Sequence, residues 1–101
     1  MKVVIKRVGQ KPEVKDIPNE LSALQEIVGG YIECVNLHNH NIICVCNEEG
    51  KLKGLTPNFI LGNDIIVGDV FFCSSDKCDF NSLSNGEVSW LMNAFTMMEE
   101  N

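Results

Sequence analysis

The sequence predicts an α+β domain with a small, mainly antiparallel sheet, one helix near residues 19–28 and a C-terminal helix near residues 85–98. Short runs rich in β-branched residues are separated by Gly, Asn and Pro, which is typical of strands joined by turns. Two other segments repeat their apolar residues every three or four positions, as helices packed on a sheet do. A chain of 101 residues has room for one core, so we expect a single domain over residues 1–101.

The first third of the chain predicts two strands and a helix. Residues 2–8 form the first strand, and residues 14–17 form a short return strand. The helix follows Pro18, with Asn19 as the expected N-cap, and Gly29-Gly30 ends it because glycine accepts the left-handed conformation of a helix C-terminus. Its expected buried stripe comprises Leu21, Leu24, Ile27, Val28 and Tyr31.

The middle of the chain predicts further strands. Residues 31–37 and 42–46 form a hairpin around a polar turn, and the second of these strands is apolar at every position, which indicates a central strand covered on both faces. Thr56-Pro57-Asn58 is expected to start one helical turn. Residues 65–73 contain one or two strands with a kink or bulge at Gly68.

The last element is a helix with a capping box. Ser84 and Glu87 have the spacing at which each side chain satisfies a free backbone amide of the other residue. The apolar face that follows comprises Val88, Leu91, Met92, Phe95 and Met98.

Composition and charge exclude several classes of protein. The chain is 45% hydrophobic and 22% charged, which is typical of a folded globular domain and not of a disordered one. Its net charge of −6 and the absence of aromatics interleaved with basic residues argue against a nucleic-acid partner. An apolar C-terminal helix on so small a domain leads us to expect a homodimer.

The basic residues are concentrated at the N-terminus. The first fifteen residues carry a charge of +4 and the other 86 carry −10. One interpretation is that the lysines protect a solvated edge strand. The other is that they form a small anion site beside an acidic body.

Neither a secretory signal nor a membrane-spanning stretch is evident. The apolar run at the N-terminus is too short for a signal, and no stretch approaches the roughly 20 apolar residues that a spanning helix needs. We therefore expect a cytosolic protein without a membrane partner, whose five cysteines stay reduced.

The cysteines and histidines suggest a metal site only weakly. His38, His40, Cys44 and Cys46 lie within nine residues, but two cysteines that alternate on one strand do not form the knuckle of a structural zinc site. We therefore expect no metal and no cofactor, with cysteines packed as small apolar residues and histidines solvating the turn.

No catalytic residue emerges from the sequence. A nucleophilic thiol needs a neighbour that lowers its pKa, and none stands at a readable spacing. Glu48 and Glu49 are adjacent turn residues without the apolar surroundings that acid–base catalysis requires. No glycine-rich phosphate loop follows a strand. We therefore expect a protein that is not an enzyme.

Three polar loops are the remaining candidates for a site. They are residues 47–50, 54–58 and 62–64. Asn, Asp and Gly are also what turns require, so these loops are either plain turns or loops that converge at one end of the sheet on a small polar ligand or a partner.

The ordered motifs of the chain resemble a known family. Val-Gly-Gly-Tyr-Ile-Glu at 28–33, Cys-Asn-Glu-Glu-Gly-Lys at 46–51, Pro-Asn at 57–58 and Asp-Ile-Ile-Val-Gly at 64–68 resemble a family of small proteins of unknown function. Bacteria, their phages and other mobile elements encode that family. The resemblance covers residues 1–98 and implies a mobile-element setting without any established catalytic residue. The turn at 38–41 and the cysteines at 73 and 78 depart from the family's usual pattern.

Two functions follow as hypotheses. The first is a phage or mobile-element binding protein, a counter-defence protein that sequesters a nucleotide-derived signal. The alternative is an inhibitor or adaptor that covers a host protein's surface, with Trp90, Met97 and Met98 as an apolar patch. The expected ligand-binding residues are Lys6, Arg7, Asn47, Glu48, Lys51, Lys53, Thr56, Asn58, Asn63 and Asp64.

Overall fold

The computed structural model describes residues 1–37, 41–76 and 79–99. These residues form, in chain order, β1 (Lys2–Lys6), β2 (Glu13–Asp16), α1 (Leu21–Val28), β3 (Ile32–Asn36), β4 (Ile42–Asn47), β5 (Pro57–Leu61), β6 (Asp64–Val67), β7 (Val70–Asp76), β8 (Asp79–Asn81) and α2 (Asn85–Glu99). The predicted α+β class, with an antiparallel sheet and helices near 19–28 and 85–98, is confirmed.

The main sheet has the strand order β2-β1-β7-β4-β3, and β8 pairs with the end of β7. All of these pairs are antiparallel. β4 lies between β3 and β7 and is buried at every residue, which confirms the prediction of a central strand. β8 carries no strand signal in the sequence because it has only three residues.

Two layers cover the main sheet, one on each face. Ile43 and Val45 of β4 pack with α1 on one face, and Cys44 of the same strand packs with α2 on the other. The β5–β6 hairpin shares the face of α2, where Phe59 and Ile66 join the core. Because successive side chains of a strand point to opposite faces, a strand covered on both faces must be apolar throughout.

The β5–β6 hairpin corrects one prediction. Thr56-Pro57-Asn58 does not start a helical turn, because Pro57 begins β5 and pairs with Val67 of β6. Gly62 and Asn63 connect the two strands, and Gly62 has a φ of 61°. A two-residue Gly-Asn connection after an apolar run is a hairpin signal, and proline is tolerated as the first residue of a strand.

The kink predicted at Gly68 is the turn between β6 and β7. Gly68 has a φ of 77°, a conformation that glycine adopts without steric cost. Its amide donates a hydrogen bond of 2.8 Å to the carbonyl of Thr56. The predicted run of 65–73 is therefore two strands that belong to two different sheets.

Helix α1 ends at the predicted glycine but begins differently from its prediction. Glu20 is the N-cap and makes no side-chain capping bond, while the side chain of Asn19 donates from Nδ2 to the carbonyl of Phe80 at 3.1 Å. The predicted buried stripe is wrong at its two ends, since Leu21 is 59% exposed and Tyr31 is 65% exposed. Gly29 ends the helix with a φ of 78°, so the helical spacing does not continue to Tyr31.

The first strand is not an edge strand. β1 lies between β2 and β7, and the side chain of Lys6 is buried. Of the basic residues near the N-terminus, Lys15 lies on the outer strand β2, which is exposed at every residue.

Helix α2 confirms the predicted capping box. The amide of Ser84 donates to the carboxylate of Glu87 at 2.8 Å, and the amide of Glu87 donates to the hydroxyl of Ser84 at 3.1 Å. Leu91 and Phe95 are buried, whereas Met98 is 43% exposed. In the described ranges, no helix has the length and apolar character needed to cross a membrane.

Candidate functional site

The ten predicted site residues do not share one pocket. Two grooves lie on the face of the sheet that carries the hairpin, one beside β5 and the other beside β6. The lysine groove contains Lys6 and Asn58. The acidic groove contains Asn47, Glu48, Lys51 and Asp64.

The four other predicted residues lie outside both grooves. Arg7 borders a separate depression beside α1 and faces Asp69 at 3.5 Å. Lys53 Nζ lies 3.6 Å from the position that a Cβ of Gly30 would take. Thr56 and Asn63 are exposed and line neither groove. The loops at 47–50 and 62–64 therefore meet at the acidic groove, whereas Asn58 of the loop at 54–58 lines the lysine groove. The three loops do not converge on one site.

The lysine groove has a volume of about 660 Å³ and lies between the end of β1, strand β5 and the C-terminal turn of α2. Lys6, Gln10 and Lys11 contribute its polar side. The apolar side comprises Phe59, Ile60, Phe95 and Met98. Glu99 adds one carboxylate at the end of α2, so the lining combines two cations with one anion.

Lys6 is held in a small hydrogen-bonded network. Its Nζ donates to Asn58 Oδ1 at 3.0 Å and to the carbonyl of Arg7 at 2.9 Å. Asn58 Nδ2 donates in return to the carbonyls of Lys6 at 2.9 Å and Gly68 at 2.8 Å. An ammonium has three protons, so these bonds within the described chain leave one N–H of Lys6 for another acceptor.

Burial disfavours the charge of Lys6. The side chain is 8% exposed, and desolvation lowers the pKa of its ammonium below 10.5, while the carboxylates of Glu99 and Asp69 oppose that shift. An added anion beside the ammonium would act in the same direction as those carboxylates. The groove therefore contains a partly desolvated cation that an anionic ligand would stabilise.

Three phenylalanines build the apolar wall of the lysine groove. Phe59 and Phe95 meet edge to face, with ring centroids 5.2 Å apart. Phe72, from the sheet beneath, lies 5.9 Å from Phe59 and 5.6 Å from Phe95. Aromatic pairs of this kind contribute about 0.5–1.5 kcal/mol each beyond the area they bury, so these contacts help to hold Phe59 and Phe95 in place at the groove.

The acidic groove is smaller, at about 260 Å³, and lies between β3, β4, β6 and the turn after β4. Glu33, Glu48 and Asp64 contribute carboxylates, and Lys51 is paired with Asp64. The hydrogen bond from Lys51 holds the pKa of the Asp64 carboxyl below 3.8. The lining carries more negative than positive charge and favours cationic ligands.

Asn47 has a structural role at the rim of the acidic groove. Its Nδ2 donates to the carbonyl of Val28 at 3.2 Å, and its Oδ1 accepts from the amide of Glu49 at 2.8 Å. A Cβ at Gly30 would lie 2.9 Å from that Nδ2, so only glycine leaves room for the amide. The Asn47 side chain joins the end of α1 to the turn after β4 and has little left for a ligand.

The cysteines of the described residues are protonated at neutral pH. Burial raises the pKa of Cys46 to about 11, that of Cys73 to about 12 and that of Cys44 further still. Cys34 is exposed, contrary to the packed role expected of it, and partial burial followed by the charge of Glu33 raises its pKa. A nucleophilic or metal-binding cysteine needs the opposite shift.

The suspected metal ligands fall partly outside the described residues. His38 and His40 lie there, as does Cys78, the cysteine that departs from the family's usual pattern. Among residues 1–37, 41–76 and 79–99, no group of three His, Cys, Asp or Glu side chains is placed to hold a metal ion.

Several groove residues have no specific signal in the sequence. The approach of Phe59 and Phe95, and the placement of Glu99 near Lys6, join segments that lie far apart in the chain. The Gly-Asn connection was the available signal for the hairpin that brings Phe59 there. The sequence marks Lys11 only as one of the basic residues near the N-terminus, and Gln10 only as a residue of the turn after the first strand.

Comparison with known proteins places the chain in a family without assigning a function. No curated protein matches the chain, and no solved structure matches it. The family model described as a domain of unknown function, DUF3846, matches residues 1–96. The chain therefore belongs to the DUF3846 family.

Proposed function

We propose that this protein is a non-enzymatic binding protein that holds a small anionic ligand with a flat apolar part, such as a nucleotide-derived signal, in the lysine groove. The observation that carries the proposal is a partly buried ammonium in the same groove as an aromatic wall. Lys6 supplies the ammonium, and Phe59 and Phe95 supply the wall.

The cationic side of the groove suits a phosphate or carboxylate. Lys6 has one N–H beyond its bonds to Asn58 and Arg7, and Lys11 and Gln10 line the same groove. Hydrogen bonds from an ammonium to an anionic oxygen are stronger than neutral ones, especially away from bulk water. Glu99 weakens this attraction in part, which favours a ligand that gains contacts elsewhere in the groove.

The apolar side supplies those contacts. Phe59, Ile60, Phe95 and Met98 form a continuous apolar lining, on which a flat ring could be covered or stacked. A volume of about 660 Å³ is within the usual range for sites of small organic ligands. The groove is therefore large enough for one nucleotide-sized molecule.

Binding without turnover agrees with the chemistry of the described side chains. The thiols of Cys44, Cys46 and Cys73 have raised pKa values, so they are poor nucleophiles at neutral pH. A protein that acts by sequestering a ligand must bind that ligand but does not need to transform it. Together with the resemblance to phage and mobile-element proteins, this supports counter-defence by sequestration in the host cytosol.

Calorimetry tests the proposal directly. We expect heat of binding with at least one member of a panel of linear and cyclic nucleotides, and a Kd at least about tenfold weaker for Lys6→Met because a charge-assisted hydrogen bond is lost. Lys53→Met is the matched control, since it removes an exposed lysine outside the groove and should leave the Kd unchanged. Thermal melts establish that both variants fold.

Two outcomes would contradict the proposal. One is the absence of heat with every nucleotide and with inorganic phosphate. The other is equal weakening by Lys6→Met and Lys53→Met, which would indicate attraction to diffuse charge and not a site.

A second candidate function is the covering of a host protein's surface. Trp90, Met97 and Met98 are 42%, 64% and 43% exposed on α2, and methionine and tryptophan are common in protein interfaces. A host protein that is recovered in stoichiometric amount by the wild type and lost with Met97→Glu would favour this function. Recovery of no stoichiometric partner would count against it.

A further inference from the structure

The two outer strands of the main sheet differ in how they are protected. β2 and β3 end the strand order in the part of the chain that the structure describes. β2 follows Pro12 and carries Glu13, Lys15 and Asp16, which are typical guards against pairing with another chain. β3 has neither lysine nor proline among its five residues. It is the less protected edge.

The free backbone groups of β3 can be identified from its pairing with β4. The carbonyl of Tyr31 accepts a hydrogen bond from the amide of Glu48, and the amide of Leu37 donates one to the carbonyl of Ile42. The backbone N–H and C=O groups of the odd-numbered residues therefore point towards β4 in this antiparallel ladder. The amides and carbonyls of Ile32, Cys34 and Asn36 therefore point to the outer edge. They form a row of three donors and three acceptors.

The side chains beside this edge offer two different environments. Glu33 and Val35 lie on the hairpin face, and both line the acidic groove. Val35 also borders a second, mostly apolar slot of about 360 Å³, which we call the Trp90 slot. Its other lining residues are Asn36, Leu37, Leu61, Gly62, Asp64 and Trp90. An acidic position and an apolar position thus lie two residues apart along β3.

We infer that the edge of β3 binds an extended segment of a partner protein as an additional antiparallel strand. The segment places an apolar side chain opposite Val35, towards the Trp90 slot, and a lysine or arginine opposite Glu33, towards the acidic groove. These positions are the non-hydrogen-bonded pairs of the new ladder, where facing Cα atoms lie about 4.5 Å apart and side chains interact most closely. Such strand addition is a common mode of peptide recognition.

The charges favour a basic partner over a second copy of this chain. A symmetric pair of β3 strands centred on Cys34 would place each Glu33 opposite the other copy's Val35. The two Glu33 carboxylates would then be diagonal neighbours, with Cβ atoms at most about 7–8 Å apart, beside two acidic grooves. A partner with lysine or arginine replaces this repulsion with attraction. The β3 site shares no residue with the lysine groove, so either can exist without the other.

A short labelled peptide tests the inference. The probe is a capped seven-residue peptide of threonines with leucine at its third position and arginine at its fifth, and fluorescence anisotropy measures its binding to the full chain. We expect Cys34→Pro to abolish binding, because it removes the central outward N–H while proline is tolerated on that side of an edge strand. Val14→Pro is the matched control on β2, where Val14 is exposed and its N–H faces outward; it should bind normally.

Changes to the peptide and to Glu33 distinguish the contribution of backbone hydrogen bonds to binding from the contribution of charge. Methylation of the peptide amides that face β3 should abolish binding without any change to the protein, so the inference stays testable if Cys34→Pro fails to fold. Glu33→Gln should weaken binding about twofold to fivefold, and glutamate in place of the peptide's arginine should weaken it at least as much. Amide hydrogen exchange at Ile32, Cys34 and Asn36 should slow when the peptide is bound.

Several results would overturn the inference. They are no binding of the peptide, unchanged binding after amide methylation, equal losses with Cys34→Pro and Val14→Pro, and equal affinity for the arginine and glutamate peptides. A chain that sediments alone as a dimer and becomes a monomer with Cys34→Pro would show that a second copy occupies the edge.

Discussion

The lysine groove and the acidic groove lie on the same face of the sheet, and the β5–β6 hairpin separates them. β5 contributes Asn58 to the first, and β6 contributes Asp64 to the second. The lysine groove is larger, cationic on one side and aromatic on the other. The acidic groove is smaller, and its lysine is already paired with a carboxylate. Whether a groove is available to a ligand therefore depends on which of its charges the protein itself already pairs.

Each groove also contains one asparagine whose hydrogen bonds join separate parts of the fold. Asn58 connects β1, β5 and the turn at Gly68. Asn47 connects α1 to the turn after β4. Both asparagines were expected to bind a ligand, and the structure shows both occupied by internal hydrogen bonds. We expect Asn58 to contribute more than Asn47 to the free energy of unfolding, because Asn58 makes three side-chain hydrogen bonds and Asn47 makes two. One of the bonds of Asn58 is also to a charged group, the ammonium of Lys6.

The largest expected effect comes from Asn58→Ala. The change removes three side-chain hydrogen bonds and leaves the partly buried ammonium of Lys6 with fewer partners, so we expect the free energy of unfolding to fall by about 2–4 kcal/mol. Urea denaturation measures the change. Asn93→Ala, at an exposed position of α2, is the control and should change stability by less than about 0.5 kcal/mol. Equal effects of the two variants would show that the network around Lys6 is unimportant.

A smaller effect is expected from Asn47→Ala. Two hydrogen bonds are lost and neither involves a charged group, so the free energy of unfolding should fall by about 1–2 kcal/mol. Asn36→Ala, on the exposed β3 edge, provides the comparison in the same denaturation experiment. An Asn47→Ala variant less stable than Asn58→Ala would contradict the expectation that the hydrogen bonds of Asn58 stabilise the fold more than those of Asn47.

The smallest effect concerns the ion pair of the acidic groove. Lys51→Gln should raise the pKa of Asp64 towards 3.8, since the hydrogen bond from Lys51 is the main cause of its depression. The depressed pKa means that the pair contributes stability above the unfolded value near pH 4 and loses it as the pH falls through the folded pKa. The contribution is small because both side chains are exposed.

Carboxyl NMR titration measures this shift. Asp16 is the internal control, because the N-terminal ammonium and not Lys51 lowers its pKa. An unchanged pKa of Asp64 in Lys51→Gln would show that the ion pair is absent in solution, and the acidic groove would then be more open to cations than described.

The parts of the fold that were predicted correctly carry strong local signals. The capping box at Ser84 and Glu87, the glycine that ends α1 and the apolar run of β4 each depend on residues that are close in sequence. The incorrect predictions came from weaker local cues. Asn19 had the right residue type for an N-cap but donates to Phe80 instead, and Thr56-Pro57-Asn58 had a plausible helix start but begins a strand.

The candidate site was predictable only in part, because its residues meet through the tertiary fold. Of the ten predicted site residues, Lys6 and Asn58 are the two that line the lysine groove. The burial of Lys6 could not be predicted, since it depends on β1 lying between β2 and β7. The aromatic wall could not be predicted either, because the hairpin brings Phe59 against Phe95 across 35 intervening positions.

By itself, the sequence determined the α+β class, both helices, the central strand and the excess of acidic residues, all of which follow from periodicity, capping and composition. Only the tertiary structure decided which polar residues share a groove, which lysine is buried and which edge of the sheet is open. The difference arises from how far apart in the sequence the interacting residues are. Helix caps and strand patterns are set by neighbours along the chain, whereas desolvation, groove shape and free backbone edges depend on which distant segments pack together.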